Sequence, residues 1–179
     1  MTDDNYWKHG YEHLWPISGP REDDIAELIG DSTGKKLTKV GFGTGSDKFL
    51  SGTAANHGHE KGEADLFVQN TNIHLEVTGP LAKTVPFSAH LWVRPDKIEN
   101  ARTHLKDHDT WVVHCLEKEK GRTIRAIRLD DKFFNSLDKG NFRIVKRRIR
   151  GKEETMVEIP SNDNAVKDFQ SLIDYIKGK

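Results

Sequence analysis

The chain has 179 residues, with 28 lysines and arginines balancing 28 aspartates and glutamates. That length fits one domain able to bury roughly 70% of its unfolded surface without bridges or structural metals, and the charge balance leaves affinity for nucleic acid or a membrane surface to local patches. No apolar run approaches the ~18 residues of a membrane span, and the polar, acidic start Met1-Thr2-Asp3-Asp4 is unlike a secretory signal, so a soluble, cytoplasmic protein with no membrane partner is expected.

In chain order, residues 1–19 mix aromatics and histidines without a clean period and read as an N-terminal arm. Pro20 suits a helix start, Ile25, Leu28 and Ile29 share one helical face, and Gly30 can cap the end. A strand is expected over Leu37 to Phe42, then a long glycine-rich connection to Gly62 with a short strand near Lys48-Phe49-Leu50. Two alternating segments around Asn70-Thr71 predict a hairpin. After Gly79-Pro80, Ile98, Ala101 and Leu105 give helical spacing from about Pro95 to Lys106, and Thr110 to Leu116 and Thr123 to Leu129 read as strands. A short helix over Asp131 to Leu137, a second hairpin from Phe142–Val145 and Thr155–Ile159, and an amphipathic helix over Asn164 to Ile176, with Val166 inward, complete the chain. With no repeat and no interior linker, the expectation is one mixed α/β domain over 1–179: arm 1–19, core 20–130, and C-terminal hairpin and helix 131–179. The single cysteine, Cys115, lies inside the apolar run Trp111–Leu116 and reads as a small buried hydrophobe.

The central hairpin carries the strongest functional signal. Closed symmetrically over Asn70-Thr71, with Asn taking the positive φ of a tight turn, it pairs Ala64 with Val77, Leu66 with Leu75 and Val68 with Ile73 on one apolar face. The same register sets Asp65 opposite Glu76 on the other face. Directly opposed side chains lie about 4.5–5.5 Å apart at Cβ, and like charges there are destabilising unless neutralised. A divalent cation answers that need, because Mg²⁺ favours hard oxygen ligands such as paired carboxylates.

The order helix, strand, strand with Asp65, strand with Glu76-Val77-Thr78, helix, strand resembles the restriction-endonuclease-like nucleases, the PD-(D/E)xK superfamily, over roughly residues 20–130. The resemblance implies a central mixed sheet flanked by helices, here with an added basic hairpin and helix. It implies Asp65 and Glu76 as catalytic acids holding Mg²⁺ or Mn²⁺, with the Val77 carbonyl as a further metal ligand. Thr78 stands where the family has its catalytic lysine, and Lys83, Lys97 and Lys48 are three replacements among which the sequence does not choose. Many members also place an acid on the first helix, and Glu27, a turn beyond the helix start, is the match expected here. Glu63 and His74 share the strand faces of Asp65 and Glu76, with Glu63 as an added ligand or a strand-end charge and His74 as a proton relay or a packed sheet histidine.

Outside that motif, His57-Gly58-His59-Glu60 offers imidazoles at close spacing, yet no cysteines complete a tetrahedral zinc set. Gly41 to Ser46 lacks the Gly-Lys-Ser/Thr ending of a phosphate loop. Six of the ten residues from Arg143 to Lys152 are basic, and Lys146, Arg147, Arg148, Arg150 and Lys152 are the expected contacts to a phosphate backbone; a solvated edge strand is the alternative. Trp92 and Arg94, just before the predicted helix, are candidates to stack on a base or pair with phosphate, or to be partly core.

Two functions compete. One is a metal-dependent endonuclease hydrolysing phosphodiester bonds, with DNA as the expected substrate. The other is a catalytically inactive nuclease-like subunit that binds nucleic acid or protein. Paired cuts across a duplex would call for a homodimer, for which the sequence names no interface.

Overall fold

The computed structural model describes residues 19–41, 58–149 and 151–179. Residues 1–18 of the expected N-terminal arm and the short strand expected near Lys48 lie outside them, and residue 19 already belongs to the first helix. A helix, α1, covers 19–33; then come β1 (Leu37–Lys39), β2 (Leu66–Val68), β3 (Ile73–Thr78), β4 (Leu91–Val93), α2 (Pro95–Thr103), β5 (Asp109–Glu117) and β6 (Arg122–Arg128). The chain ends with α3 (Asp131–Asp138), β7 (Arg143–Ile149), β8 (Lys152–Ile159), β9 (Val166–Asp168) and α4 (Phe169–Lys177).

The central sheet has the order β1-β2-β3-β5-β6-β9, with β3 and β5 parallel and every other pair antiparallel. A parallel neighbour needs a crossover, and β4 with α2 supplies it. The expected class, a central mixed sheet flanked by helices, is thus what the chain adopts, with α1, the strand that Asp65 immediately precedes, the Glu76 strand, α2 and β5 in the anticipated order.

The unbroken apolar run in β5 is explained by burial on both faces. Trp111, Val113 and Cys115 pack with Ile25 and Ile29 of α1 and Leu172, Ile173 and Ile176 of α4. On the other face, Val112 packs with Leu91, Val93, Ile98, Phe133, Val157 and Ile159. Each fully buried aliphatic side chain stabilises by about 1.5–3 kcal/mol relative to exposure, so the terminal helix is an integral wall of the first core.

Two elements escaped the sequence reading. Leu91–Val93 is too short for a period to show, yet it joins β8 and β7 in a second, antiparallel sheet of order β4-β8-β7. Val166, expected on the inner face of the last helix, instead pairs with Ile127 as an edge strand. The helix starts later because the Asp168 side chain caps it, accepting from Ser171 N.

Candidate active site

The central hairpin has the register that the hydrophobic pattern demands: Leu66 pairs with Leu75 and Phe67 with His74, around a turn in which Asn70 has φ 62°. Main-chain pairing stops short of Ala64 and Val77. There the Val77 N–H donates to Asp65 Oδ2 at 2.8 Å, while Asp65 N donates to the Leu75 carbonyl at 3.0 Å. The strand therefore ends in a side chain, and that bond aims the Asp65 carboxylate along β3 toward Glu76.

The two acids are brought together with a lysine between them. Lys97 Nζ lies 2.6 Å from Glu76 Oε2 and 3.8 Å from Asp65 Oδ1, and donates to the Glu63 carbonyl at 2.6 Å. Glu76 Oε2 is buried, and the Lys97 ammonium at 2.6 Å is its charged partner. Burial first, then the neighbouring Asp65, pushes the Glu76 carboxyl well above the usual carboxylate range against the pull of Lys97. Burial alone would lower Lys97, but Glu76 and Asp65 outweigh it and keep the ammonium charged. Of the three candidate lysines, Lys83 is exposed in the loop after β3 and Lys48 lies outside the described residues; Lys97 is the one at the acid pair.

The placement of Lys97 is built from both sides. Pro95 opens α2, and Ile98 and Ala101 anchor its inner face. The loop before Asp65 presses on the helix start so closely that a Cβ on Gly62, which has φ 82°, would sit 2.1 Å from the Asp96 carbonyl oxygen. Asn100 ties the same loop down through Glu60 Oε2 and the Lys61 carbonyl.

On α1 the acid turned toward this centre is Glu22, and Glu27 is exposed. Burial first, then Asp65, raises Glu22 to about 7, with Lys39 and Lys97 opposing. The expectation for Glu27 is corrected by helix geometry: at 3.6 residues per turn, Glu22 shares the stripe of buried Ile25 and Ile29, whereas Glu27 lies almost opposite Ile25. That stripe was present in the sequence.

Thr78 ends β3 in register with His114, which is buried and pushed down to about 3, first by burial and then by Arg125. The Glu63 carboxylate is turned into its own loop, meeting His59 Nδ1 at 2.9 Å and accepting from Glu60 N at 2.8 Å, so it is the Glu63 backbone that serves the site. His74 stacks on His108 at 3.9 Å between ring centres, and His108 in turn on His104, whose Nε2 meets Glu60 Oε2 at 2.7 Å. Parallel rings aim their nitrogens in parallel planes, which does not suit one shared ion. Cys115 is buried, and burial pushes its thiol up to about 11.

The basic hairpin is largely partnered. Lys146 Nζ lies 3.0 Å from Glu153, Arg147 Nη2 donates to Glu158 at 3.2 Å, and Arg148 Nε donates to the Gly151 carbonyl at 3.3 Å. Lys152 opens β8 opposite Ile149, and Arg150 lies outside the described residues.

The residues at the acid pair fit a hard divalent cation. Asp65 and Glu76 offer carboxylate oxygens, the hard donors that Mg²⁺ and Mn²⁺ favour, gathered around one positive charge, Lys97, that a cation could replace or join. Among the described residues no three His, Cys, Asp or Glu side chains are grouped as a ready-made ion site. No described helix is long and apolar enough to cross a membrane.

No family profile and no curated protein matches the chain. Among solved structures it is similar to Archaeoglobus fulgidus Hjc, a Holliday junction resolvase from an archaeal hyperthermophile, at 11% identity and a TM-score of 0.46, covering 85% of this chain and 96% of that one. It is also similar to D212, a nuclease from a fusselovirus, at 11% identity and a TM-score of 0.47, covering 99% of this chain and 94% of that one.

Proposed function

We propose that the chain is a metal-dependent endonuclease that hydrolyses phosphodiester bonds in DNA. The observation that carries this reading is the convergence of Asp65, Glu76 and the Lys97 ammonium, with Glu22 close by, at the rim of a sheet. Asp65 and Glu76, with the Val77 carbonyl, would hold Mg²⁺ or Mn²⁺, which supplies Lewis acidity and a nucleophilic water near neutral pH. Lys97 takes the role that Thr78 cannot: its positive charge orients the attacking water and offsets charge developing on the phosphate oxygens. Glu22, raised to about 7 by burial and then Asp65, would accept a proton from that water. Thr78 serves the same face as a hydrogen-bonding hydroxyl.

The test is cleavage of duplex, single-stranded and branched DNA with Mg²⁺ or Mn²⁺ by wild type, Asp65→Asn, Glu76→Gln and Lys97→Met. Cutting should be lost in all three variants while far-UV circular dichroism is unchanged. Failure of the wild type on every substrate with both metals would sink the proposal.

One observation favours the second reading. Lys97 already sets a positive charge between the two acids, as a structural ion pair would in a subunit that binds nucleic acid or a protein partner without cutting. Calorimetric titration of Mn²⁺ into wild type and Asp65→Asn separates the two, because only the first reading requires ion uptake that Asp65→Asn removes.

A further inference from the structure

We infer that the outer face of the second sheet is a preorganised nucleic-acid track leading to the acid pair, built from Arg143, Arg147, Trp92 and Arg94. Its identity as a nucleic-acid rather than an acidic-protein track rests on the nuclease reading, because the strip ends beside Lys97 and Glu76.

The register makes the strip. Trp92 of β4 pairs with Glu158 of β8, and Glu158 with Arg143 of β7, so the three side chains form one row across the sheet. Leu91, Val93, Val157 and Ile159 face the core, which turns this row to solvent. Arg147 follows four residues after Arg143 on the same face and lies over the Trp92 ring at 5.1 Å. Arg94 continues the β4 alternation beyond Trp92 in extended backbone. It is also the N-cap of α2, where its carbonyl accepts from Lys97 N at 3.2 Å, so the strip runs into the helix turn that carries Lys97.

By count the charges cancel, but by depth they do not. Glu158, which accepts from Trp92 Nε1 at 2.9 Å, from Arg143 and from Arg147, has a side chain only 6% exposed, while Arg143 and Arg147 are 73% and 38% exposed. Arg94 is 41% exposed over Asp96 at 16%, which holds it through Nε at 3.0 Å and Nη2 at 2.6 Å. The carboxylates lie beneath and fix the guanidinium planes, and a ligand arriving from solvent meets the cationic forks. A fixed guanidinium loses little entropy on binding and matches phosphate oxygens bidentately, while an indole capped by arginine gives a sugar or base a flat apolar surface. The partner is therefore a nucleic-acid backbone read without regard to sequence.

The test is fluorescence anisotropy of a labelled DNA duplex in EDTA, so that cleavage plays no part, over a series of salt concentrations. Arg94→Gln/Arg143→Gln leaves Arg147 and Trp92 on Glu158, which keeps the buried carboxylate satisfied. Loss of two phosphate contacts should reduce the slope of log K against log salt by about 1.8, from ~0.9 per phosphate. Lys132→Gln/Lys139→Gln, exposed on α3 and at its C-cap, away from the strip, should leave the slope unchanged. In the unmutated protein, duplex should shield Arg94 and Arg143 from phenylglyoxal, read by mass spectrometry. An unchanged slope in the first variant, an equal loss in the second, or unshielded arginines would overturn the track. So would wild-type binding to poly-glutamate but not to duplex. Cleavage by a protein whose track fails leaves the nuclease reading standing, and a working track without cleavage does the reverse.

Discussion

Glu76 on β3 and Lys97 on α2 meet at 2.6 Å, and the acids keep Lys97 charged against its burial, while burial and Asp65 push the Glu76 carboxyl up against the pull of Lys97. Removing one partner therefore strands a buried acid pair. Lys97→Met should destabilise the metal-free fold by about 3 kcal/mol, the usual cost of breaking a buried pair, measured by urea unfolding. Mn²⁺ should restore more stability to this variant than it adds to wild type, since the ion then supplies the missing positive charge. Equal effects of Mn²⁺ on both proteins would count against an ion site at the acids.

Glu22 and Glu27 should behave differently despite sharing a helix. Glu22→Gln should lower cleavage at least tenfold, a loss in the ordinary range for a general acid or base, while Glu27→Gln should cut like wild type. Stability adds a second readout. Because the folded state raises Glu22 from 4.5 to about 7, it binds the proton more tightly than the unfolded chain does. Stability from this group is present below about pH 4.5 and declines as pH rises toward 7, by about 3 kcal/mol in all. Glu22→Gln should flatten that decline in metal-free urea unfolding between those limits.

Glu158 should show the opposite sense. Hydrogen bonds from Arg143 and then Trp92 hold its carboxyl down to about 2, so its contribution is present above about pH 4.5 and lost as pH falls toward 2. With both arginine partners more than a third exposed, the expected size is about 1–2 kcal/mol after screening. Glu158→Gln should lose that amount at neutral pH and unfold with a flatter acid limb, followed by tryptophan fluorescence.

Gly62→Ala tests the mechanical link between the loop and α2. The added methyl meets the Asp96 carbonyl oxygen at a backbone angle that favours glycine. A loss of about 1–3 kcal/mol is expected, together with a fall in kcat, because Lys97 and Asp65 are displaced relative to each other. Unchanged kcat at reduced stability would show that the contact supports the fold without setting the site.

The hairpin register was legible in the sequence because it is a local property: alternation of period two around a turn that Asn70 can close leaves one pairing that buries Leu66, Val68, Ile73 and Leu75 together. The same pairing put Asp65 beside Glu76. Helix periodicity also contained the choice of Glu22 over Glu27, since the stripe through Ile25 and Ile29 runs through Glu22. By contrast, Leu91–Val93 is too short to carry a period, and it became a strand through its neighbours β8 and β7.

By itself, then, the sequence determined the acid pair, the doubly buried β5 and the amphipathic helices, because each follows from spacing along one or two adjacent segments. Only the tertiary structure decided that Lys97 sits between the acids, and that the carboxylates of the second sheet lie beneath its arginines. Those outcomes depend on how closely separate elements approach and on which side chain is cut off from water, and neither quantity exists until the chain is packed.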